Sequence, residues 1–234
     1  MTDRHISSLF DAELSALSTR VLEMGGLVEA QVVRSVQALR EFSGEAATEV
    51  LESERRVNGM EVEIDHDLSS IIARHQPTAC DLRLLISVSK AVADLERVGD
   101  ESARIARTVH RQLHMGMSTH LRHPLADLGI AADMAIEALK SALDAFARRD
   151  ANVALKVIEG DKDIDREFEG LARLLMTYMV EDPRAISSCI DLIFVAKAIE
   201  RVGDHAKNLA KLVIYMVKGQ DVRHRALNHI QGVV

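Results

Sequence analysis

The sequence predicts an all-α chain built as two tandem homologous three-helix bundles of long antiparallel helices. One observation is a short stretch that occurs twice, Leu95-Glu96-Arg97-Val98-Gly99-Asp100 and Ile199-Glu200-Arg201-Val202-Gly203-Asp204, identical over Glu-Arg-Val-Gly-Asp. A second is composition: 47% of residues are hydrophobic, yet only 3% are aromatic and tryptophan is absent. Packing then falls to Leu, Val, Ile, Ala and Met, which suits interdigitated helices better than a sheet sandwich. The third is the scarcity of breaks, with three prolines in 234 residues and apolar residues recurring three or four apart over long stretches. The duplication divides the chain into residues 1–118 and residues 119–234, the latter ending in a short C-terminal tail.

The elements follow in order. A first helix over about Ser8 to Phe42 carries the stripe Leu14, Leu17, Val21, Met24, Val28, Val32, Val36 and Leu39; at 1.5 Å per residue it is ~50 Å long. Ser43-Gly44 breaks it and offers a cap for a second helix, about Glu45 to Arg74. That helix has a strict 4-3 alternation reading Val50, Glu54, Val57, Glu61, Ile64, Leu68 and Ile71, so two acids occupy a stripe that should be dry. Two registers are open. Either the core is shifted onto Leu51, Met60 and Ile72, or the acids point toward Glu96 and Asp100. Pro77 ends the second helix, Thr78 and Asp81 cap the third, and Gly116 to His123 reads as the linker. Pro124 opens a fourth helix that stops near Arg149-Asp150. The fifth repeats the 4-3 alternation through Val157, Asp161, Ile164, Phe168, Leu171, Leu175 and Tyr178, with Asp161 in the place of Glu54 and Phe168 in that of Glu61. Asp182-Pro183 caps and starts the sixth, Lys218-Gly219 ends it, and the tail from Gln220 is expected to be loosely ordered.

Charge narrows the function. A net charge of −7 argues against nucleic-acid binding, which draws its affinity from Lys and Arg on phosphates. Two cysteines, Cys80 and Cys189, make no disulfide framework, so both read as buried small hydrophobes in a reducing cytosol. The first residues lack the apolar core of a signal peptide, and no run reaches the ~20 apolar residues of a membrane span. A soluble cytoplasmic protein is expected, at most peripheral to a membrane complex.

The repeated motif carries the chemistry. On a helix Glu96 and Asp100 share a face, as do Glu200 and Asp204, and like charges one turn apart repel by a few tenths of a kcal/mol. Gly99 and Gly203 cost about 1 kcal/mol each relative to alanine inside a helix. A bound cation or a close helix approach would offset these costs. With Glu54 beside the first pair and Asp161 beside the second, the candidate metal ligands are Glu54, Glu96, Asp100, Asp161, Glu200 and Asp204. Such carboxylates suit hard divalent cations, iron or manganese better than a structural zinc site of the usual kind.

The doubled motif, together with Arg74-His-Gln-Pro77 leading to Asp81-Leu82-Arg83, Asp144-Ala-Phe-Ala-Arg148, Met176 to Arg184 and Val217 to His224, resembles the PhoU family of accessory regulators of bacterial phosphate-specific transport. The resemblance spans essentially the whole chain. It implies two homologous three-helix bundles, often dimeric, and a cytoplasmic regulator of phosphate homeostasis. Such a regulator restrains uptake through the phosphate ABC transporter, contacting its ATPase subunit, and restrains phosphate-starvation signalling through a sensor histidine kinase. It also implies possible iron or zinc clusters at Glu96 and Asp100 and at Glu200 and Asp204. Phe168 in place of an acid and His205 in place of Glu101 make the two halves unequal.

Other readings stand beside this one. A metal-dependent hydrolase or oxidase would use the same acids, and a purely structural dimeric bundle would use none. A ferritin-like di-iron oxidoreductase needs two Glu-x-x-His motifs, whereas Glu63 and His66 form a lone one. His110 and His114 have a chelating spacing but no acid partner nearby in sequence. Arg83, Arg148 and Arg184 lie in family-like segments and are candidate partner contacts. No Gly-rich phosphate loop is present, so direct anion binding has no support in the linear sequence.

Overall fold

The structure, a computed structural model, describes residues 8–115 and 122–234. Six long helices follow one another: α1 (Ser8–Glu41), α2 (Gly44–His75), α3 (Ala79–Met115), α4 (Arg122–Arg148), α5 (Ala151–Glu181) and α6 (Ile186–Lys218). A 3-10 turn (Pro183–Ala185) precedes α6, a short α7 (Leu227–Gln231) lies in the tail, and the described residues contain no strand. The linker expected from Gly116 and the boundary between residues 118 and 119 fall outside the described residues, except that Arg122 and His123 already belong to α4.

Helix ends sit where the capping chemistry puts them. Ser43 is extended, and its hydroxyl accepts from the Ala46 N–H at 3.2 Å. Asp150 accepts from the N–H groups of Asn152 and Val153, and Asp182 from that of Arg184. These bonds satisfy donors that a helix start would otherwise leave unpaired. Pro183 begins the 3-10 turn, so α6 proper opens only at Ile186. Gly219 adopts φ 73°, and its N–H returns to the Tyr215 carbonyl to close α6, a left-handed position that glycine fills without a Cβ penalty.

The register of α2 is settled in favour of the acid-bearing stripe. Val50, Val57, Ile64, Leu68 and Ile71 are buried, whereas Leu51, Met60 and Ile72 are only partly so. Glu54 and Glu61 therefore face the bundle, half-buried between apolar turns. In α5 the same face buries Val157, Asp161, Ile164, Leu171 and Leu175.

Within each half three helices pack together, α1 with α2 and α3, and α4 with α5 and α6; across the halves α3 packs on α6 and α1 on α4. The buried hydrophobic residues form one continuous cluster through both halves. Fully buried residues such as Leu95, Ile105, Leu192 and Leu209 contribute roughly 1.5–3 kcal/mol each.

The tail departs from expectation. Val222 and Ile230 are each 1% exposed, and the Lys218 ammonium donates to the Val234 carbonyl oxygen at 2.8 Å. Two apolar side chains at suitable spacing dock a segment whose polar composition reads as loose. Cys189 is buried as expected, but Cys80 is exposed, because it lies on the outward face of the first turn of α3.

The motif glycines are explained by close approach. A Cβ on Gly203 would lie 2.9 Å from Cδ1 of Ile164, and one on Gly99 would lie 3.3 Å from the Gln31 amide oxygen and 3.4 Å from Val57. Each lets α3 or α6 seat against the second helix of its half. Gly203→Ala is therefore expected to lose about 1–2 kcal/mol, the overpacking cost exceeding the helix-propensity gain. Gly59→Ala, on an open face, should gain about 0.5–1 kcal/mol. Chemical denaturation of the two variants beside the parent chain checks both signs.

Candidate functional site

Both copies of the motif meet at one place. The chain directions of α3 and α6 oppose, and a polar cleft of about 520 Å³ between them is lined by Arg97, Asp100, Glu101, Arg201, Asp204 and His205. Ion pairs cross it. Glu101, nearly buried, accepts from Arg201 at 2.9 Å; Asp94 meets the His205 ring at 2.8 Å and Asn208 at 3.3 Å. Farther along, buried Asp191 accepts from Arg111 at 2.6 Å and Gln112 at 2.5 Å. His205 holds the position that Glu101 holds in the first copy. The exchange is what lets the second contact differ from the first: the acid takes an arginine, and the histidine takes Asp94.

In the first half, Glu61, Glu96 and Asp100 gather at the α2–α3 seam. Burial, and then the carboxylates of Asp100, Glu61 and Glu54, push the Glu96 carboxyl above the usual range, with Arg97 opposing. Glu61 is pushed the same way by burial, Asp65 and Asp100, again against Arg97. Glu54 is held elsewhere as well, its two oxygens accepting from Nη2 of Arg107 at 2.8 and 3.0 Å.

The second half is built differently. Asp161, 5% exposed, is bonded to the Lys207 ammonium, which also lies 3.9 Å from Asp204. Burial works against the charge on Lys207, but Asp161, Asp204 and Asp165 outweigh it and raise its pKa. Asp165 is itself pushed up by burial and by Asp161 and Asp204. Glu200 pairs with Lys197 at 2.5 Å, and that ammonium stands 5.2 Å above the Phe168 ring. The first half has Glu61 where this half has Phe168, and a cation on an aromatic face replaces an acid. Two lysines thus sit where a bound cation would otherwise balance the second acid set.

The six candidate ligands are therefore distributed as follows. Glu96 and Asp100 share a seam with Glu61, and Glu54 reaches its edge; Asp161 and Asp204 converge on Lys207; Glu200 is turned to Lys197. Among the described residues no group of three or more His, Cys, Asp or Glu side chains is arranged to hold a metal ion. The chemistry of the donors fits a hard cation better in the first half, where the acids repel one another, than in the second, where lysines neutralise them. The sequence reading left out Asp165, Lys197 and Lys207. Their signals were present as an acid one turn after Asp161 and lysines three residues before Glu200 and after Asp204, a spacing that faces them together on a helix. The remaining candidates fall away from the cleft. Glu63 pairs with Arg20 at 2.5 Å, His110 meets Thr48 at 3.3 Å, and Arg148 pairs with Asp144 one turn away.

Comparison with known proteins bears on the same residues. The PhoU domain model matches residues 21–109 and again 128–213, each match containing one copy of the motif. The chain is 46% identical over 230 residues to the phosphate-specific transport system accessory protein PhoU homolog of Pseudomonas putida, covering 98% of this chain and 89% of that protein. It is 42% identical over 229 residues to the phosphate-specific transport system accessory protein PhoU of Escherichia coli K12, covering 95% and 90%. The crystal structure of PhoU from Pseudomonas aeruginosa superposes with a TM-score of 0.85 at 45% identity, covering 90% of this chain and all of that one.

The repulsion in the first half has a measurable consequence. An acid whose folded-state pKa is raised binds its proton more tightly when folded, so stability falls as pH rises through that pKa and is relieved below the ordinary carboxylate value. In protein stripped with a chelator, Glu96→Gln should gain about 0.5 kcal/mol at pH 7 and nothing at about pH 4. Denaturant unfolding at the two pH values checks it; an equal gain at both, or a loss at pH 7, contradicts it.

Proposed function

The chain belongs to the PhoU family, and from that premise we propose that it is a cytoplasmic, non-enzymatic negative regulator of phosphate homeostasis. It restrains uptake through the ABC phosphate transporter by contacting the ATPase subunit, and restrains starvation signalling through the phosphate sensor histidine kinase. The observation that carries this is the likeness over 98% of the chain to a protein named as an accessory of phosphate-specific transport. Among the described residues no helix is long and apolar enough to cross a membrane, in keeping with a protein peripheral to a membrane complex.

The chemistry of the motifs supports an adaptor over a hydrolase or oxidase. Glu54, Asp161 and Glu200 are engaged by Arg107, Lys207 and Lys197, and Glu101 and Asp94 are spent joining the halves. Partner contact needs an exposed face, and α6 has one. Ile186, Ile190 and Phe194 recur every turn and are 40–54% exposed, and Met176 and Val180 in the last turns of α5 are exposed as well. The first half has Lys90 where Phe194 stands. An apolar surface of this kind suits association, including the homodimer the family implies.

Metal binding, as iron or zinc clusters or another divalent cation, is assigned first to the α2–α3 seam. There Glu61, Glu96 and Asp100 would have to draw closer together to hold the ion, which would supply charge neutralisation to acids that otherwise repel. A second cluster on Asp161, Glu200 and Asp204 requires Lys197 and Lys207 to swing away.

Immobilised protein is expected to retain both the transporter ATPase subunit and the sensor kinase from its own organism. Phe194→Ser with Ile190→Ser should cut retention of at least one by about tenfold, as loss of two apolar anchors does. Failure to retain either partner at any phosphate concentration contradicts the regulator reading.

A further inference from the structure

Beside the second motif, on the side away from α3, lies a recess of about 240 Å³ formed by α5, α6 and the C-terminal segment. Its charged lining is Asp161, Lys162, Asp165, Lys207, Lys211 and Arg225, over an apolar floor that includes Ile230. Four cations face two carboxylates, in a chain whose net charge is −7. Lys207 is matched by Asp161. Among the described residues Lys211 donates only to the Arg223 carbonyl, at 3.3 Å, while neither Lys162 nor Arg225 has a side-chain ion pair. Within the lining, Asp165 is the carboxylate left to oppose the remaining three, with Asp204 beyond it 3.9 Å from Lys207. Burial, then repulsion from Lys207, depresses the Lys211 ammonium, with Asp161 and Asp204 only partly opposing, as expected of a half-buried cation without an ion pair of its own.

Among the described residues the corresponding positions of the first half do not repeat this set. Ala103 stands where Lys207 does, and Arg107, in the position of Lys211, is consumed by Glu54. Among the described residues a tail covers only the second half. Gly219 turns the chain back, Asp221 pairs with Arg223, Val222 and Ile230 are buried, and Gln231 bonds Glu159 at 2.6 Å. Together these contacts deliver Arg225 to the rim of the recess.

We infer that this recess is a binding site for a small multiply charged oxyanion, inorganic phosphate or the phosphoryl group of a larger molecule, held by Lys211, Lys207 and Arg225. The lining stays cationic even with Asp204 beside Lys207, which suits an oxyanion, and charge-assisted bonds from lysine and arginine are the strong ones. Asp165 selects against weakly charged anions, and Lys207 and Lys211 are partly withdrawn from water over the buried Ile230 floor, while Arg225 stands on the exposed rim. The site stands independently of the regulatory reading, because it rests on side chains of α5, α6 and the tail rather than on the α6 docking face.

Isothermal titration of the full chain with inorganic phosphate, and separately co-sedimentation with phosphatidic acid vesicles, whose headgroup is a phosphomonoester, tests the site and separates its sources. Phosphate is expected to bind at millimolar concentration or tighter, and more weakly as salt is raised. Arg225→Gln, on the exposed rim and safe for folding, and Lys211→Met, checked by circular dichroism, should each weaken binding about tenfold. Binding to vesicles alone, lost in the same variants, assigns the phosphoryl group to a lipid. Absence of binding to both probes, or binding unchanged in both variants, overturns the site.

Discussion

Two helices carrying copies of one motif run in opposite directions against each other, and the charges along their seam decide how the halves join. Duplicated chains face a difficulty here, since a helix packed on its own copy presents like against like. Glu101 resolves one side by taking Arg201 at 2.9 Å. His205 resolves the other by departing from the repeat, giving up the acid of the first copy and meeting Asp94 at 2.8 Å. Val98 and Val202, from the same two motifs, belong to a core that runs unbroken through both halves. Partly buried pairs of this sort specify a mating geometry more than they stabilise it, because desolvation consumes much of their attraction. The stabilisation comes from the apolar residues on either side; the ions say which turn meets which.

The same departure from symmetry governs the acids. In one half Glu61, Glu96 and Asp100 are left to repel, and in the other Lys197 and Lys207 lie among their counterparts. Phe168 belongs to this pattern, since it replaces an acid with a surface on which a lysine can rest. A duplicated scaffold has thus been given one strained half and one neutralised half. The strained half is where a cation has most to offer, and the neutralised half adjoins the recess where cations are in surplus.

Much of this was legible in the residues. Ser43, Asp150, Asp182 and Gly219 marked helix ends because capping is local chemistry, decided within four residues of the chain. The stripe of α2 was legible down to its two misfit acids, although choosing between its registers required knowing where α3 lay. Gly99 and Gly203 announced a cost without saying what met it; close packing against Val57 and Ile164 does. The tail was misread because Val222 and Ile230 are only two apolar positions in a polar segment, and their burial depends on an α5–α6 groove distant in sequence. For the same reason Lys207 and Lys211 went unremarked. A lysine on an amphipathic helix looks alike whether it meets solvent or an aspartate from another helix. The anion recess, made from three separate segments, has no linear signature at all.

The seam is the point on which everything else turns, and a double-mutant cycle measures it most directly. Denaturant unfolding of the parent chain, Glu101→Ala, Arg201→Ala and the double variant isolates the coupling between residues of different halves. A coupling of about 1 kcal/mol or more is expected, with both single variants unfolding in one transition. Effects that simply add, with coupling within about 0.3 kcal/mol of zero, would contradict a charge-specified joint between the two bundles.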